Sequence, residues 1–142
     1  MRETVTVSER MSGDVSAVRP DTTLVEAAQR MRISGVGGIP VLDHDGECAG
    51  ILTERDIVIR VLAEEREPLA AFVRDVATMY PVTCSPEEDV GKVAERMREH
   101  EVQHLPVCQE GEVVGVISLA DIVFGRPDEE RGTIMPPRAA SR

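Results

Sequence analysis

The sequence predicts an α/β fold in which two β-α-β-β-α repeats pack as a pseudo-twofold pair. The length of 142 residues suits one domain, or two small units that share a core. The chain also repeats itself at a constant spacing, and each copy has the same succession of strand and helix patterns. One copy alone is too small to bury a large core, so we expect the copies to cover each other and leave a cleft between them.

The repeat is visible as residues that recur at one spacing. The pairs separated by 66 positions are Pro20 and Pro86, Ala28 and Ala94, Arg30-Met31-Arg32 and Arg96-Met97-Arg98, Val36 and Val102, and Pro40-Val41 and Pro106-Val107. After a deletion of one residue the spacing becomes 65, and Gly46-Glu47, Gly50 and Asp56-Ile57-Val58 match Gly111-Glu112, Gly115 and Asp121-Ile122-Val123. Chance would not hold one register over so many residues.

Each copy begins with a strand candidate and an amphipathic helix. In the first copy Val15 to Val18 is the strand candidate, which Pro20 ends. The helix that follows is capped by Thr23, with Glu26 as a capping-box partner, and is terminated by Gly35. Its apolar face is Leu24, Ala27, Ala28 and Met31, and the second copy, started by Asp89, repeats that face as Val90, Val93, Ala94 and Met97.

A hairpin and a second helix complete each copy. The stretches "GIPVLDHDGECAGIL" and "HLPVCQEGEVVGVI" each contain two apolar runs around an Asp-Gly or Glu-Gly turn, which is a hairpin signal. We expect the first repeat at residues 5–62, a linker at 63–72 and the second repeat at 73–125. The tail at 126–142 is polar and proline-rich, and we expect it to be loosely ordered.

Composition excludes several classes of protein. A net charge of −10 opposes sequence-independent nucleic-acid binding, which relies on basic side chains. No apolar run approaches the roughly 18 residues of a membrane span, and the N-terminus lacks the apolar region of a secretion signal. Three widely spaced cysteines argue against a disulfide framework. The simplest expectation is a soluble cytoplasmic protein without nucleic-acid or membrane partners.

The stretch Thr53-Glu54-Arg55-Asp56 has two interpretations. It has the pattern of a helix start, with Thr53 as N-cap and Asp56 favoured near the positive end of the helix dipole. Ser118 and Asp121 repeat the pattern in the second copy. Both caps follow a glycine and two aliphatic residues, and such a glycine permits close approach of backbone or ligand. A hydroxyl for phosphate and a carboxylate for ribose would then form a mononucleotide site.

These two stretches resemble the tandem CBS-domain pair, also called a Bateman module. The resemblance rests on the Leu/Ile-Pro-Val strand, the Asp/Glu-Gly turn and the following Gly-aliphatic-aliphatic-Thr/Ser-x-x-Asp, all present twice over roughly residues 5–125. The size is similar to that of small stand-alone CBS-pair proteins, some of which are linked to stress or hypoxic responses. In this family adenosine-containing ligands bind between the two copies, and each site draws on both.

The resemblance implies two ligand sites. The first would hold phosphate and ribose with Thr53, Arg55 and Asp56, and its adenine pocket would come from Val82, Val102, Gln103, His104 and Pro106. The second would use Ser118 and Asp121, with Ser16, Val36, Gly37, Ile39 and Pro40 around the base. Ala120 replaces Arg55 in the second site, and Gly37-Gly38 align with Gln103-His104. We therefore expect unequal affinities, with the Thr53/Asp56 site the tighter one.

The resemblance favours a regulatory module that is not an enzyme. It would sense AMP, ADP, ATP or another adenosyl compound such as NAD or S-adenosylmethionine, with no obligatory cofactor, and signal through an unidentified partner protein. The apolar helix of "DIVIRVLAEE" is either core or a partner surface, and family resemblance favours a homodimer. The alternative is a ligand-free structural or interaction dimer, with a stress, redox or metal response at its cysteines and histidines. His44, His100, His104, Cys48 and Cys108 lack convincing metal-ligand spacing.

Overall fold

A computed structural model describes residues 4–13 and 15–125 of the chain. The tail predicted at 126–142 lies outside the described residues. Within the described part, no helix combines the length and the apolar character that crossing a membrane requires.

In each half of the chain a helix, two strands and a second helix follow one another as predicted, and a short helix that was not predicted precedes them. The helices are α1 (Val7–Arg10), α2 (Leu24–Ser34), α3 (Glu54–Ile57), α4 (Val73–Val76), α5 (Val90–His100) and α6 (Leu119–Phe124). The strands are β1 (Gly38–Leu42), β2 (Cys48–Thr53), β3 (Thr78–Met79), β4 (His104–Gln109) and β5 (Glu112–Ser118). Helix α3 continues into a π-helical turn at Val58–Leu62, and a short 3₁₀ turn spans Pro68–Ala70.

The two predicted hairpins form as antiparallel pairs, β1 with β2 and β4 with β5. Glycines allow their turns, because Gly46 and Gly111 have φ angles of 83° and 86°. The strand expected at Val15 to Val18 is wrong in extent, since only Val18 forms a parallel bridge, to Val41. The chain turns directly afterwards through a bond from the Thr22 amide to the Arg19 carbonyl, and Pro20 has no N–H for a ladder.

The ends of α2 and α5 follow the local signals in the sequence. Thr23 caps α2 by accepting from the Glu26 amide at 3.2 Å, although only this half of the expected capping box is present. Gly35 ends α2 in the left-handed conformation, and its amide bonds to the Met31 carbonyl. Asp89 caps α5 through the Gly91 amide. The predicted helix boundaries are therefore confirmed.

Each hydrophobic core is completed by the segment that leads into the other repeat. Val7 of α1 is fully buried among the residues of the second repeat, including Leu105 and Ile117. Val73 of α4 is equally buried against the first repeat, including Leu52. Since α1 and α4 are 66 positions apart and equivalent, the exchange is reciprocal, and the two repeats are intertwined.

The glycine before each second helix makes room for the exchanged segment. A Cβ atom at Gly50 would lie 2.8 Å from the carbonyl oxygen of Thr78, which pairs with β2. A Cβ atom at Gly115 would lie 2.6 Å from the carbonyl oxygen of Ser12, whose backbone bridges to Val116. The sequence left open whether these glycines allow the close approach of backbone or of a ligand. In the structure, backbone of the exchanged segment lies against each of them.

Contacts between equivalent residues mark the pseudo-twofold axis. Glu47 and Glu112 are equivalent by the repeat, and they form an antiparallel bridge with each other. Gly38 and His104 are also equivalent, and the His104 ring packs against Gly38. A residue can touch its equivalent in the other repeat only if both lie at the twofold axis. The axis therefore passes through the Glu47–Glu112 contact and the Gly38–His104 contact, between the two hairpins.

We predict that Gly115→Ala destabilises the protein by at least about 2 kcal/mol, because the added methyl group collides with backbone rather than with a flexible side chain. Gly91→Ala is the matched control. Its Cβ atom would have no neighbour closer than 3.6 Å, and alanine favours a helix, so we expect a gain of up to about 1 kcal/mol. Urea unfolding monitored by circular dichroism measures both, and equal effects would contradict the backbone contact.

Candidate functional site

Thr53 and Asp56 cap the start of α3 with a reciprocal pair of hydrogen bonds. The Asp56 amide donates to the Thr53 hydroxyl oxygen at 3.1 Å, and the Thr53 amide donates to Oδ2 of Asp56 at 3.0 Å. This capping box forms because Thr53 has an extended backbone at the end of β2 while Asp56 occupies the third helical position. The helix-start interpretation of this stretch is therefore confirmed.

Ser118 and Asp121 form the same arrangement at the start of α6. The Asp121 amide donates to the Ser118 hydroxyl oxygen at 3.0 Å, and the Ser118 amide donates to Oδ2 of Asp121 at 3.0 Å. The two caps thus present the same pair of functional groups at equivalent positions of the two repeats. Each hydroxyl accepts a backbone bond and keeps its own proton available for donation.

The two carboxylates differ in their second oxygen. Oδ1 of Asp56 accepts from the Thr78 hydroxyl at 3.2 Å, and the residue is only 8% exposed. Asp121 is half-buried, and its Oδ1 accepts no hydrogen bond from any residue of the described chain. Both carboxylate oxygens of Asp56 therefore accept hydrogen bonds, whereas Oδ1 of Asp121 is available as an acceptor for a ligand.

Each cap lies beside the start of its own hairpin. Thr53 is opposite Gly38 in the first sheet, and Ser118 is opposite His104 in the second. The first helical amides tighten this arrangement, because Glu54 donates to the Gly37 carbonyl and Leu119 donates to the Gln103 carbonyl. The predicted wall residues that precede β1 and β4 are thus brought next to the caps of their own repeat.

His104 connects the two repeats at this end of the axis. A Cβ atom at Gly37 would lie 3.1 Å from Nε2 of His104, and one at Gly38 would lie 3.0 Å from the ring carbon Cδ2. The ring therefore occupies space that two missing side chains provide. Burial lowers the pKa of His104, and the negative charges of Glu54, Asp121 and Asp56 oppose that shift. The residues predicted for two separate sites are thus close to one another through this ring.

Other residues of the predicted pockets lie in different surroundings. Ile39, Pro40 and Pro106 are buried, and Ile39 belongs to the first core. Val82 and Val102 are partly buried against the second core, Val36 is half-buried, and Ser16 is exposed. Val102 and the exposed Gln103 line a groove of about 620 Å³ along α5 that includes none of the four cap residues. The roles of all these residues as pocket walls stay predictions.

Arg55 is exposed on the first turn of α3, and its equivalent in α6 is Ala120. Its guanidinium makes no hydrogen bond or ion pair with another described residue. The difference expected between the two sites in positive charge is therefore present at the surface. Arg55 is thus an unpaired cation at the first cap, whereas Arg10, which lies beside α6, donates to the carbonyls of Asp121 and Ile122.

Two residues near the caps were not identified from the sequence. Thr78 fixes Asp56 from the segment that enters the first sheet, and Glu54 lies against Gly37 and near His104. The repeat offers one signal for Thr78, because its equivalent is Ser12, which also has a hydroxyl group. Nothing in the local pattern indicates that Thr78 reaches Asp56, since that contact depends on the exchange of segments.

The helix that continues from α3 is divided between core and surface. Val61 is fully buried, whereas Val58, Ile59 and Leu62 are exposed, as are Val123 and Phe124 at the end of α6. The core interpretation of "DIVIRVLAEE" is therefore confirmed for Val61, and the partner-surface interpretation stays a prediction for the exposed residues. Among the described residues, no three histidine, cysteine or acidic side chains cluster as metal ligands.

Comparison with known proteins finds a family model described as CBS domain, which matches residues 7–63 and 73–126. An uncharacterised protein of Methanopyrus kandleri, MK0525, is 30% identical over 87% of this chain, which spans 63% of that protein.

Solved structures agree with this match. The crystal structure of Hypoxic Response Protein I with two coordinated zinc ions has 32% identity and a TM-score of 0.72, and the match covers 87% of this chain and all of that one. The protein PAE2072 of Pyrobaculum aerophilum, complexed with AMP, has 28% identity and a TM-score of 0.76, over 86% of this chain and 93% of that one.

We predict that Asp56→Ala lowers the free energy of unfolding by about 2–3 kcal/mol and Asp121→Ala by only about 1 kcal/mol. Both substitutions remove a cap, but only the first also leaves the half-buried Thr78 hydroxyl without its acceptor. Asp21→Ala, at an exposed position, is the control and should change stability by less than about 0.5 kcal/mol. Chemical denaturation gives all three values, and equal losses at Asp56 and Asp121 would contradict the structural difference.

Proposed function

The chain belongs to the CBS domain family, and from that premise we propose that it is a regulatory module that binds an adenosine-containing ligand between its two repeats. The observation that carries the proposal is the hydroxyl–carboxylate pair found at equivalent positions of both repeats, Thr53 with Asp56 and Ser118 with Asp121. PAE2072, which is similar in fold and sequence, is complexed with AMP, and this supports the choice of ligand class. The module acts on an unidentified partner protein and performs no catalysis itself.

The chemistry of the caps suits a ribose phosphate. Each hydroxyl keeps a proton that it can donate to a phosphate oxygen, and Arg55 adds an exposed cation at the first site. Each carboxylate can accept bonds from the two ribose hydroxyls, because its oxygens offer about four lone-pair sites and the cap uses only part of them. The base would lie near His104, whose ring is held between the repeats and whose pKa is lowered by burial.

Two features of the sites favour opposite orders of affinity. Arg55 favours the Thr53/Asp56 site, as we expected from the sequence. The open Oδ1 of Asp121 favours the Ser118 site, because a ribose there would not have to share a carboxylate with Thr78. We propose that Ser118/Asp121 binds ribose-containing ligands generally, and that the Thr53/Asp56 site gains affinity mainly from the phosphate charge.

We predict that one or more of AMP, ADP, ATP, NAD and S-adenosylmethionine raises the melting temperature. A ligand at a hundredfold excess over Kd stabilises the folded state by about 2.7 kcal/mol. Asp121→Ala should weaken calorimetric binding of adenosine at least tenfold, whereas Arg55→Ala should weaken AMP and leave adenosine unchanged.

The Asp21→Ala control should bind like the unaltered chain. Variants are compared at a temperature at which circular dichroism shows all of them folded, so that stability and affinity are separated. If no adenosyl ligand changes the melting temperature, the ligand-free structural or interaction dimer is the better account of the protein.

We further propose that the chain forms a homodimer through the exposed apolar residues that follow the two caps. These lie at equivalent positions of the repeats, Val58 and Ile59 with Val123 and Phe124, and Leu62 extends the first group. Exposed apolar groups of this kind mark association surfaces. The dimer would also give the module a surface whose shape a bound ligand could alter.

Leu62→Glu and Phe124→Glu should each convert the dimer to a monomer in sedimentation equilibrium. A buried unpaired charge in an apolar interface is strongly unfavourable, which is why one substitution suffices. Ile33→Glu is the matched control, because Ile33 is 82% exposed on α2, outside this surface. A dimer that survives both substitutions, or that Ile33→Glu disrupts equally, would place the interface elsewhere.

A further inference from the structure

Two of the three cysteines differ from the third in their surroundings. Cys84 is buried in the second core, where its thiol donates to the Pro106 carbonyl at 3.8 Å, and burial raises its pKa to about 12. Cys48 and Cys108 are half-buried and reachable from solvent. The Cys48 thiol donates to the Gly50 carbonyl at 3.7 Å. Strands β2 and β4 are in contact, and the side chains of Cys48 and Cys108 lie close enough to interact, although they belong to different repeats.

The contact between these thiols results from the meeting of the two hairpins at the pseudo-twofold axis. Cys48 begins β2 opposite Leu42, and Cys108 lies near the end of β4 opposite Val113. The bridge between Glu47 and Glu112 brings the residues adjacent to these pairs together. The repeat would place only aliphatic residues here, since the equivalents of Cys48 and Cys108 are Val113 and Leu42.

The contact makes the two thiols chemically unequal. The neighbouring Cys108 thiol lowers the pKa of Cys48 to about 7, while burial and the nearby charge of Asp43 oppose that shift. The same contact raises the pKa of Cys108. The contact therefore favours the thiolate of Cys48, which is the nucleophilic form of cysteine. Cys108 keeps its proton and is placed to react second.

We propose that Cys48 and Cys108 are a peroxide-reactive pair that closes to a disulfide and joins the two repeats covalently. The Cys48 thiolate attacks one oxygen of a hydroperoxide, the O–O bond breaks, and the products are a Cys48 sulfenic acid and hydroxide, or alkoxide from an organic peroxide. The sulfur of Cys108 then attacks the sulfenic sulfur. An S–S bond forms, the S–O bond breaks, and water leaves with the Cys108 proton. The peroxide is reduced by the two electrons that the thiols lose.

The surroundings of the pair select the class of oxidant. A groove of about 390 Å³ between the hairpin turns is lined by the carboxyl residues Asp45, Glu47, Glu110 and Glu112. These charges disfavour the approach of an anionic oxidant such as oxidised glutathione. A small neutral hydroperoxide meets no such barrier, so we assign hydrogen peroxide or a small alkyl hydroperoxide as the reactant.

The test uses the reduced full-length chain and hydrogen peroxide. Intact mass spectrometry should show a loss of about 2 Da, and thiol titration should show that one of the three cysteines remains, because a disulfide consumes two thiols. Peptide mapping of the unaltered chain should find Cys48 joined to Cys108 and Cys84 free. The cross-link should raise the melting temperature by roughly 10 °C, since it closes a long loop between the repeats.

Single substitutions then separate the roles of the two thiols. Cys108→Ser should stop the reaction at a sulfenic acid on Cys48, which dimedone captures, and Cys48→Ser should slow peroxide consumption at least tenfold. Cys84→Ser is the matched control and should form the same disulfide as the unaltered chain. Alkylation of Cys48 in a Cys108→Ala variant should require a higher pH than in the unaltered chain, because alanine has no proton to donate to the Cys48 sulfur.

Three results would overturn the proposal. One is equal oxidation of all three cysteines in the folded chain, and another is a disulfide that joins separate molecules in non-reducing electrophoresis. The third is an unchanged rate in Cys48→Ser. None of these readouts involves an adenosyl ligand, so the outcome is independent of the proposed function.

Discussion

The reciprocal exchange of core segments is the constraint on which the rest of this structure depends. Val7 and Val73 complete cores that belong to the other repeat, and neither core is closed without them. The exchange explains why Gly50 and Gly115 directly precede the apolar residues before each cap, since any side chain would collide with the incoming backbone. It also explains why Asp56 is buried, because Thr78 reaches it from the exchanged segment. The site therefore cannot be separated from the way the two halves are joined.

The pseudo-twofold axis makes small differences between the repeats consequential. Equivalent residues of the two repeats meet at the axis. Where the repeats differ at such a position, the residue of one repeat therefore packs against the different residue of the other. At one end His104 uses the space that Gly37 and Gly38 leave free, and at the other end Cys48 contacts Cys108 where symmetry would provide Leu42 and Val113. Both differences bring a titratable side chain into contact between the halves. Away from the axis, the same substitutions would affect only their own repeat.

Much of this architecture could be predicted because its signals are local. The helix ends at Thr23, Gly35 and Asp89 and the hairpin turns depend on residues within four positions of one another, and the structure has them where the sequence indicates. The exchange of segments had no such signal, since Val7 and Val73 show only that a short stretch is apolar. The core that each valine enters is distant in the sequence, and so is Thr78, whose contact buries Asp56. The contact between Cys48 and Cys108 was missed for the same reason.

Capping and ligand binding need not exclude each other at Thr53/Asp56 and Ser118/Asp121. A ligand site loses affinity when its side chains must be ordered on binding, at a cost of about 0.5–1.5 kcal/mol for each. In this protein the caps already hold all four side chains in one orientation through bonds to backbone amides. The caps use one oxygen of each carboxylate and one lone pair of each hydroxyl, so they leave donors and acceptors in place for a ribose phosphate. A helix start is in this sense a preorganised half of a binding site, and the sequence pattern alone cannot distinguish the cap from the site because the same atoms form both.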